Sequence, residues 1–306
     1  MKPETLLVIY EIRTKESKIS ELIETQEPAC FLGPNLAKHL FGLHLEADFL
    51  FLFFNQQLDL TEFFLRFPLL ELRQIHELRY DQWQDGAGSP PFSVGPLRIQ
   101  PVFGQNPADK GESGRQDPPR PLGALPPLII DPGLAFGFGG HPTTRSCLEF
   151  LLRLYRPGTL ESPSPVTALD LGCGTGILAL AAARLGAKKV LGLDHSHLAV
   201  DSANLNAALN RLEQSVTVIR APAQDYATYP AELVLANIPL FVLRDLVDLQ
   251  AFNQRNYLII SGLLPEEGDI FLELLSDQIE YKILDSKRSD RWVSFLLKNE
   301  LAASPN

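Results

Sequence analysis

Asp170 stands two residues ahead of a glycine run, Gly172-Cys173-Gly174-Thr175-Gly176, and Asp194 follows roughly 20 residues after Gly172, the separation expected of a ribose-binding acid. Glycines at such a turn remove side chains where a ligand must approach the backbone. The free N–H groups at the start of the following helix then face that ligand. Asp194 can accept hydrogen bonds from both hydroxyls of a ribose. A dinucleotide site needs Gly-x-Gly-x-x-Gly. Here the third glycine comes one residue early, at Gly176, and Ile177 holds the other position. The lysine of a phosphate-binding loop is missing too. The alternative is an ordinary strand–turn–helix unit that binds nothing.

The elements that must hold these residues read as strand, turn, helix, strand. Residues 166–171 form an apolar run suited to a buried parallel strand. Residues 177–185 are rich in Ala and Leu, strong helix formers, and Gly186 is placed to end that helix. Residues 190–193 form the second strand, with Asp194 at its carboxyl end. A helix over 196–210, capped by Ser196, follows. Further strands are expected at 216–219, 232–237, 257–261, 279–284 and 292–297, with a helix from Pro265 to about 275. The alternation implies a doubly wound α/β sheet. Asn237 ends the fourth strand, where ligands bind in such sheets. Its amide oxygen can accept an N–H from an amine; alternatively it is a turn former before Pro239.

The first 83 residues read as a small α+β domain of ferredoxin-like order. Strands are expected over 6–12, 48–54 and 70–80, and helices over 17–24 and 61–67. His39, His44 and His76 share no metal-ligand spacing. Residues 84–127 are dense in Gly and Pro and read as a linker with a short strand near 94–102. The third segment, 128–306, opens with a strand at 128–130 and a loop, 131–140, carrying four glycines. Thr143 or Thr144 is placed to cap the helix that follows.

With 27 basic and 37 acidic residues the chain carries a net charge of −10. That disfavours nucleic acid and suits a basic protein partner. The longest dense apolar run, 49–54, is too short to span a bilayer. Cys30, Cys147 and Cys173 make neither a disulfide framework nor a metal site, and a cytoplasmic location is the expectation. Asp194-His195-Ser196-His197 lacks a third metal ligand.

Gly-x-Gly-x-Gly with an upstream acid resembles the S-adenosylmethionine site of Rossmann-like methyltransferases. Over about residues 130–298 the chain is similar to the bacterial methyltransferases of ribosomal protein L11. The similarity rests on Asp131-Pro-Gly-Leu-Ala-Phe-Gly-x-Gly-x-His-Pro-Thr-Thr144, Leu171-Gly-Cys-Gly-Thr-Gly-Ile-Leu-Ala179 and Ala236-Asn-Ile238. The resemblance implies a seven-stranded sheet closed by a hairpin of its last two strands. It also implies S-adenosylmethionine as cofactor, contacts from Thr144, Gly172, Gly174, Asp194 and Asn237, and transfer to lysine or N-terminal amines of a basic ribosomal protein by a monomer. Asn237-Ile238-Pro239-Leu240 loosely resembles the Asn-Pro-Pro-Tyr of amino-methylating enzymes. Two departures concern the acceptor: Phe138 and Gly140 replace small hydroxylated residues of the loop, and Pro239-Leu240-Phe241 replaces Leu and small residues. Another protein lysine, as in enzymes modifying the electron-transfer flavoprotein β subunit, and a non-catalytic cofactor-binding module are the alternatives.

Overall fold

The computed structural model describes residues 6–14, 31–46, 49–79, 91–101, 125–131, 140–156, 158, 164–253 and 255–300. The helix expected over 17–24, Tyr80, Cys30, most of the linker and the loop at 132–139 with Phe138 lie outside the described residues. The chain divides into two compact units, Met1–Gly88 and Ser89–Asn306.

In the first unit, β1 (Leu6–Arg13), β2 (Leu40–Glu46), β3 (Phe49–Phe54) and β4 (Glu71–Arg79) form an antiparallel sheet in the order β2-β3-β1-β4. The short helices α1 (Pro34–Ala37) and α2 (Thr61–Arg66) lie between strands in sequence. This is the strand order of a ferredoxin-like unit. The sequence reading missed β2, an edge strand whose pairing is irregular around Gly42; an interior glycine weakens the strand signal. Val8, Tyr10 and Ile12 on one face of β1 pack with Leu52, Phe54 and Phe63. The buried Tyr10 hydroxyl donates to the Leu58 carbonyl at 2.7 Å and accepts from the Leu58 N–H at 2.7 Å. Satisfying both groups fixes the stretch leading into α2.

The second unit opens with β5 (Phe92–Val94), β6 (Leu97–Pro101) and β7 (Leu128–Ile130), a small sheet in that order. Phe92–Pro101 falls inside the stretch read as linker, yet Leu97, Ile99 and Leu128 are fully buried. The Arg145 guanidinium lies 4.3 Å over the Phe92 ring, tying the hairpin to the first long helix.

That helix is α3 (Pro142–Tyr155). Then follow β8 (Thr167–Leu171), α4 (Ile177–Leu185), β9 (Lys189–Asp194), α5 (His197–Asn210), β10 (Val216–Arg220), β11 (Leu233–Asn237), α6 (Leu240–Asp248), β12 (Tyr257–Leu263), α7 (Pro265–Ser276), β13 (Tyr281–Ser289) and β14 (Trp292–Asn299). The strands form a seven-stranded sheet in the order β10-β9-β8-β11-β12-β14-β13. It is parallel apart from β14, which runs antiparallel to both β12 and β13. Alternate residues of each strand serve opposite faces. Leu233 and Leu235 of β11 join the core beneath α3, α4 and α5, while Val234 and Ala236 join the core with α6 and α7. The sequence reading missed α6; its apolar face of Leu240, Leu243, Leu246 and Val247 is buried.

Candidate active site

The turn after β8 requires its glycines. Gly172, Gly174 and Gly176 have φ of 69°, 54° and 78°, a left-handed region that other residues enter only at a cost. A Cβ on Gly172 would stand 2.5 Å from Ile238 Cγ2. The carboxyl ends of β8 and β11 therefore meet where Gly172 leaves space. The Cys173 N–H donates to the Leu193 carbonyl at 2.8 Å, fastening the turn to β9.

Asp194 ends β9 and is only 9% exposed. Its Oδ2 accepts the Gly174 N–H at 3.0 Å, and its Oδ1 accepts the Ser196 N–H at 2.9 Å. Each oxygen retains acceptor capacity for a further donor. Ser196 in turn caps α5, its hydroxyl accepting the Ala199 N–H at 3.5 Å. Asp194 thus shapes the glycine turn and the start of α5.

Asp170 is buried, and its Oδ2 accepts the Ala179 N–H at 2.9 Å. Burial pushes its carboxyl up to about 7, the Ala179 hydrogen bond opposes that rise, and the Asp194 charge adds to it. A carboxyl whose folded value lies above its unfolded one holds its proton more tightly in the native state. Stability is therefore expected to fall as pH rises from about 4 to about 7, by on the order of 4 kcal/mol. Asp170→Asn keeps an acceptor for Ala179 and should flatten that slope in urea unfolding across the same range. An unchanged slope would place the titration elsewhere. The buried Cys173 thiol is pushed well above its ordinary value, first by desolvation and then by both carboxylates. It packs against Gly192 as a neutral small residue and is no nucleophile.

Two asparagines on α5 hold the strand that leads into the glycine loop. Asn206 Oδ1 accepts the Asp131 N–H at 2.7 Å, while its Nδ2 donates to the Asp131 and Thr175 carbonyls, each at 2.9 Å. One turn on, Asn210 repeats the pattern with the N–H and carbonyl of Ile129. These side chains complete the backbone hydrogen bonding along one side of β7 and tie it to the glycine turn. Their spacing at i and i+4 puts both on one face of α5, which is the sequence signal for this pair.

At the start of α3 the sequence reading is corrected. His141, not Thr143 or Thr144, is the cap: its side chain accepts the Thr143 N–H at 3.4 Å. An imidazole nitrogen substitutes there for a hydroxyl because Pro142 sets the first helical residue. Thr143 is drawn away by other bonds. Its Oγ1 lies 2.7 Å from His141 Nδ1 and accepts from Asn237 Nδ2 at 3.1 Å. Thr144 is buried, and its hydroxyl has no hydrogen-bond partner among the described residues. Asn237 is followed by the Ile238 N–H, which donates to Ser261. Gly262 (φ 84°) lets the backbone pass within reach of Ile238, and a Cβ there would lie 3.2 Å from Asn237 Oδ1.

Thus Gly172, Gly174 and Asp194 meet at the carboxyl ends of β8 and β9. Asn237 lies at the end of the neighbouring β11, linked to Thr143, next to Thr144 in α3. His141, Thr143, Asn206 and Gly262 were not singled out for this site by sequence. Among the described residues there is no group of His, Cys, Asp and Glu suited to a metal, and no helix long and apolar enough to cross a membrane.

The sheet order, the antiparallel strand β14 and the glycine turn beside β9 define a Rossmann-like methyltransferase fold. A family model described as ribosomal protein L11 methyltransferase (PrmA) matches residues 125–300, and the chain belongs to that family. A ribosomal protein L11 methyltransferase of Shewanella denitrificans is 40% identical over 151 residues, 49% of this chain and 49% of the relative. One from Carboxydothermus hydrogenoformans is 33% identical over 214 residues, 69% of this chain and 63% of the relative. The chain spans about half the length of the first curated relatives it matches. The crystal structure of a ribosomal protein L11 methylase from Lactobacillus delbrueckii has a TM-score of 0.51 at 29% identity, covering 66% of this chain and 94% of that one.

Proposed function

We propose that this chain transfers methyl groups from S-adenosylmethionine to lysine amines of a basic ribosomal protein, L11 in the first instance, acting as a monomer in the cytoplasm. The observation that carries the reading is the placement of the glycine turn, Asp194 and Asn237 at the carboxyl ends of the neighbouring strands β8, β9 and β11, in a chain of a methyltransferase family. The residues fit the cofactor. Gly172 and Gly174 offer backbone free of side chains, Asp194 retains acceptor capacity for ribose hydroxyls, and the buried Thr144 hydroxyl lacks a partner among the described residues.

When bound, S-adenosylmethionine supplies a methyl group on a positively charged sulfur. The chain's own part is binding and positioning. The incoming amine must be neutral, because an ammonium has no lone pair. Asn237 Oδ1 accepts an N–H from that amine and turns its lone pair toward the methyl carbon. The net charge of −10 favours approach of a basic protein over nucleic acid.

The two units divide the work in this reading: the first docks the substrate and the second holds the cofactor. Because β5 and β6 share a sheet with β7, the second unit is best separated at Ser89. A fragment beginning there is expected to bind S-adenosylmethionine with wild-type affinity and to methylate intact L11 at least about tenfold more slowly, through loss of tethering. Calorimetry and a labelled-methyl assay read the two quantities. Equal rates for fragment and full chain would remove the docking role. Incubation of the full chain with labelled S-adenosylmethionine and ribosomal proteins tests the function itself; label in another protein and none in L11 would refute the substrate.

A further inference from the structure

We propose that Thr143, held by His141, is a positioning residue that fixes which end of the Asn237 amide faces the acceptor amine. The inference rests on the function proposed above.

The Asn237 amide presents two ends of similar shape and opposite hydrogen-bonding character. Only the oxygen can accept an N–H from a neutral amine; the NH2 end can only donate. A rate that depends on aiming a lone pair therefore depends on which end points outward. Asn237 Nδ2 donates to Thr143 Oγ1 at 3.1 Å, which leaves Oδ1 as the other end, on the side where Gly262 carries no side chain. Nothing in Asn237 itself enforces this choice, since a threonine hydroxyl can either donate or accept.

His141 removes that freedom. Its Nδ1 lies 2.7 Å from Thr143 Oγ1 and also receives the Thr143 backbone N–H at 3.4 Å. The backbone group is a donor only, so Nδ1 is the unprotonated acceptor and the ring proton sits on Nε2. The single hydroxyl hydrogen of Thr143 is then directed to Nδ1, and Oγ1 presents lone pairs to Asn237. Against lone pairs the NH2 end of the amide is the favoured partner. The imidazole is itself steadied by Trp292, edge to face with ring centroids 5.4 Å apart. Thr143 is 2% exposed, so water does not compete effectively for the same positions. The chain His141–Thr143–Asn237 thus carries one orientation from a helix cap on α3 to the end of β11.

The test compares the full-length protein with Thr143→Val, which keeps the side-chain shape and removes the hydroxyl, and Thr143→Ser, which restores it. Thr143→Val is expected to lower kcat for L11 methylation by about tenfold, the worth of one buried hydrogen bond. KM and S-adenosylmethionine affinity should stay within about twofold, and Thr143→Ser should recover the rate. The Asn237 side-chain amide resonances, assigned by their disappearance in Asn237→Ala, should shift in Thr143→Val and return in Thr143→Ser. Wild-type kcat in Thr143→Val, unmoved amide resonances, or a loss of cofactor affinity equal to the loss of rate would each overturn the inference. If the wild-type protein methylates nothing, the proposed function fails, and the amide resonances alone decide whether Thr143 holds Asn237.

Discussion

Asn237→Ala should lower kcat for protein methylation by on the order of 10²-fold while leaving S-adenosylmethionine binding within about tenfold of wild type. Asn237 ends β11, and its backbone is fixed by parallel pairing with β12, where it sits opposite Ser261. Its amide nitrogen is engaged by Thr143, so the truncation removes the acceptor we propose for the amine N–H together with a link to α3. The substrate would still dock, and the effect should fall on kcat more than on KM. Asn237→Asp retains an acceptor oxygen and should retain more activity than alanine. Steady-state rates with labelled methyl donor, beside calorimetric affinities, separate the two parameters. A tenfold or larger rise in KM with kcat unchanged would make Asn237 a substrate-binding residue.

Asp194→Ala should weaken S-adenosylmethionine binding by about 2–4 kcal/mol, the loss of hydrogen bonds from two ribose hydroxyls to one carboxylate. The structure adds a second consequence. The carboxylate also accepts the Gly174 and Ser196 N–H groups, so alanine leaves two backbone donors of the turn without their partner. Asp194→Asn distinguishes the contributions. It keeps one acceptor oxygen and should recover part of the affinity. Unchanged cofactor affinity in Asp194→Ala, with lowered thermal stability, would confine Asp194 to shaping the turn.

The second unit was legible because its elements obey local rules. Residues 166–171 and 190–193 are short apolar runs, and observed β8 and β9 differ from them by a residue or so. Ser196 caps α5 as its side chain allows. What was missed depends on contacts distant in sequence. Nothing near Thr143 says that Asn237 will bond it, because the partners are 94 residues apart. His141 takes the place of the expected hydroxyl caps for a local reason: Pro142 opens the helix, which puts Thr143 inside it. The sequence marks Asp170 as the acid upstream of the glycine run, and only its burial shows that its carboxyl is pushed up. In the first unit, β2 escaped because an interior glycine and an edge position dilute the strand pattern.

Transfer of label from S-adenosylmethionine to L11, followed by mapping of the modified amines, tests the account most directly. The full-length protein should label L11 on lysine amines, with Asn237→Ala slowing that labelling on the order of 10²-fold. Cofactor binding by calorimetry with no label in L11 or in any protein of a cell lysate would contradict it, leaving a module that binds S-adenosylmethionine and does not transfer its methyl group.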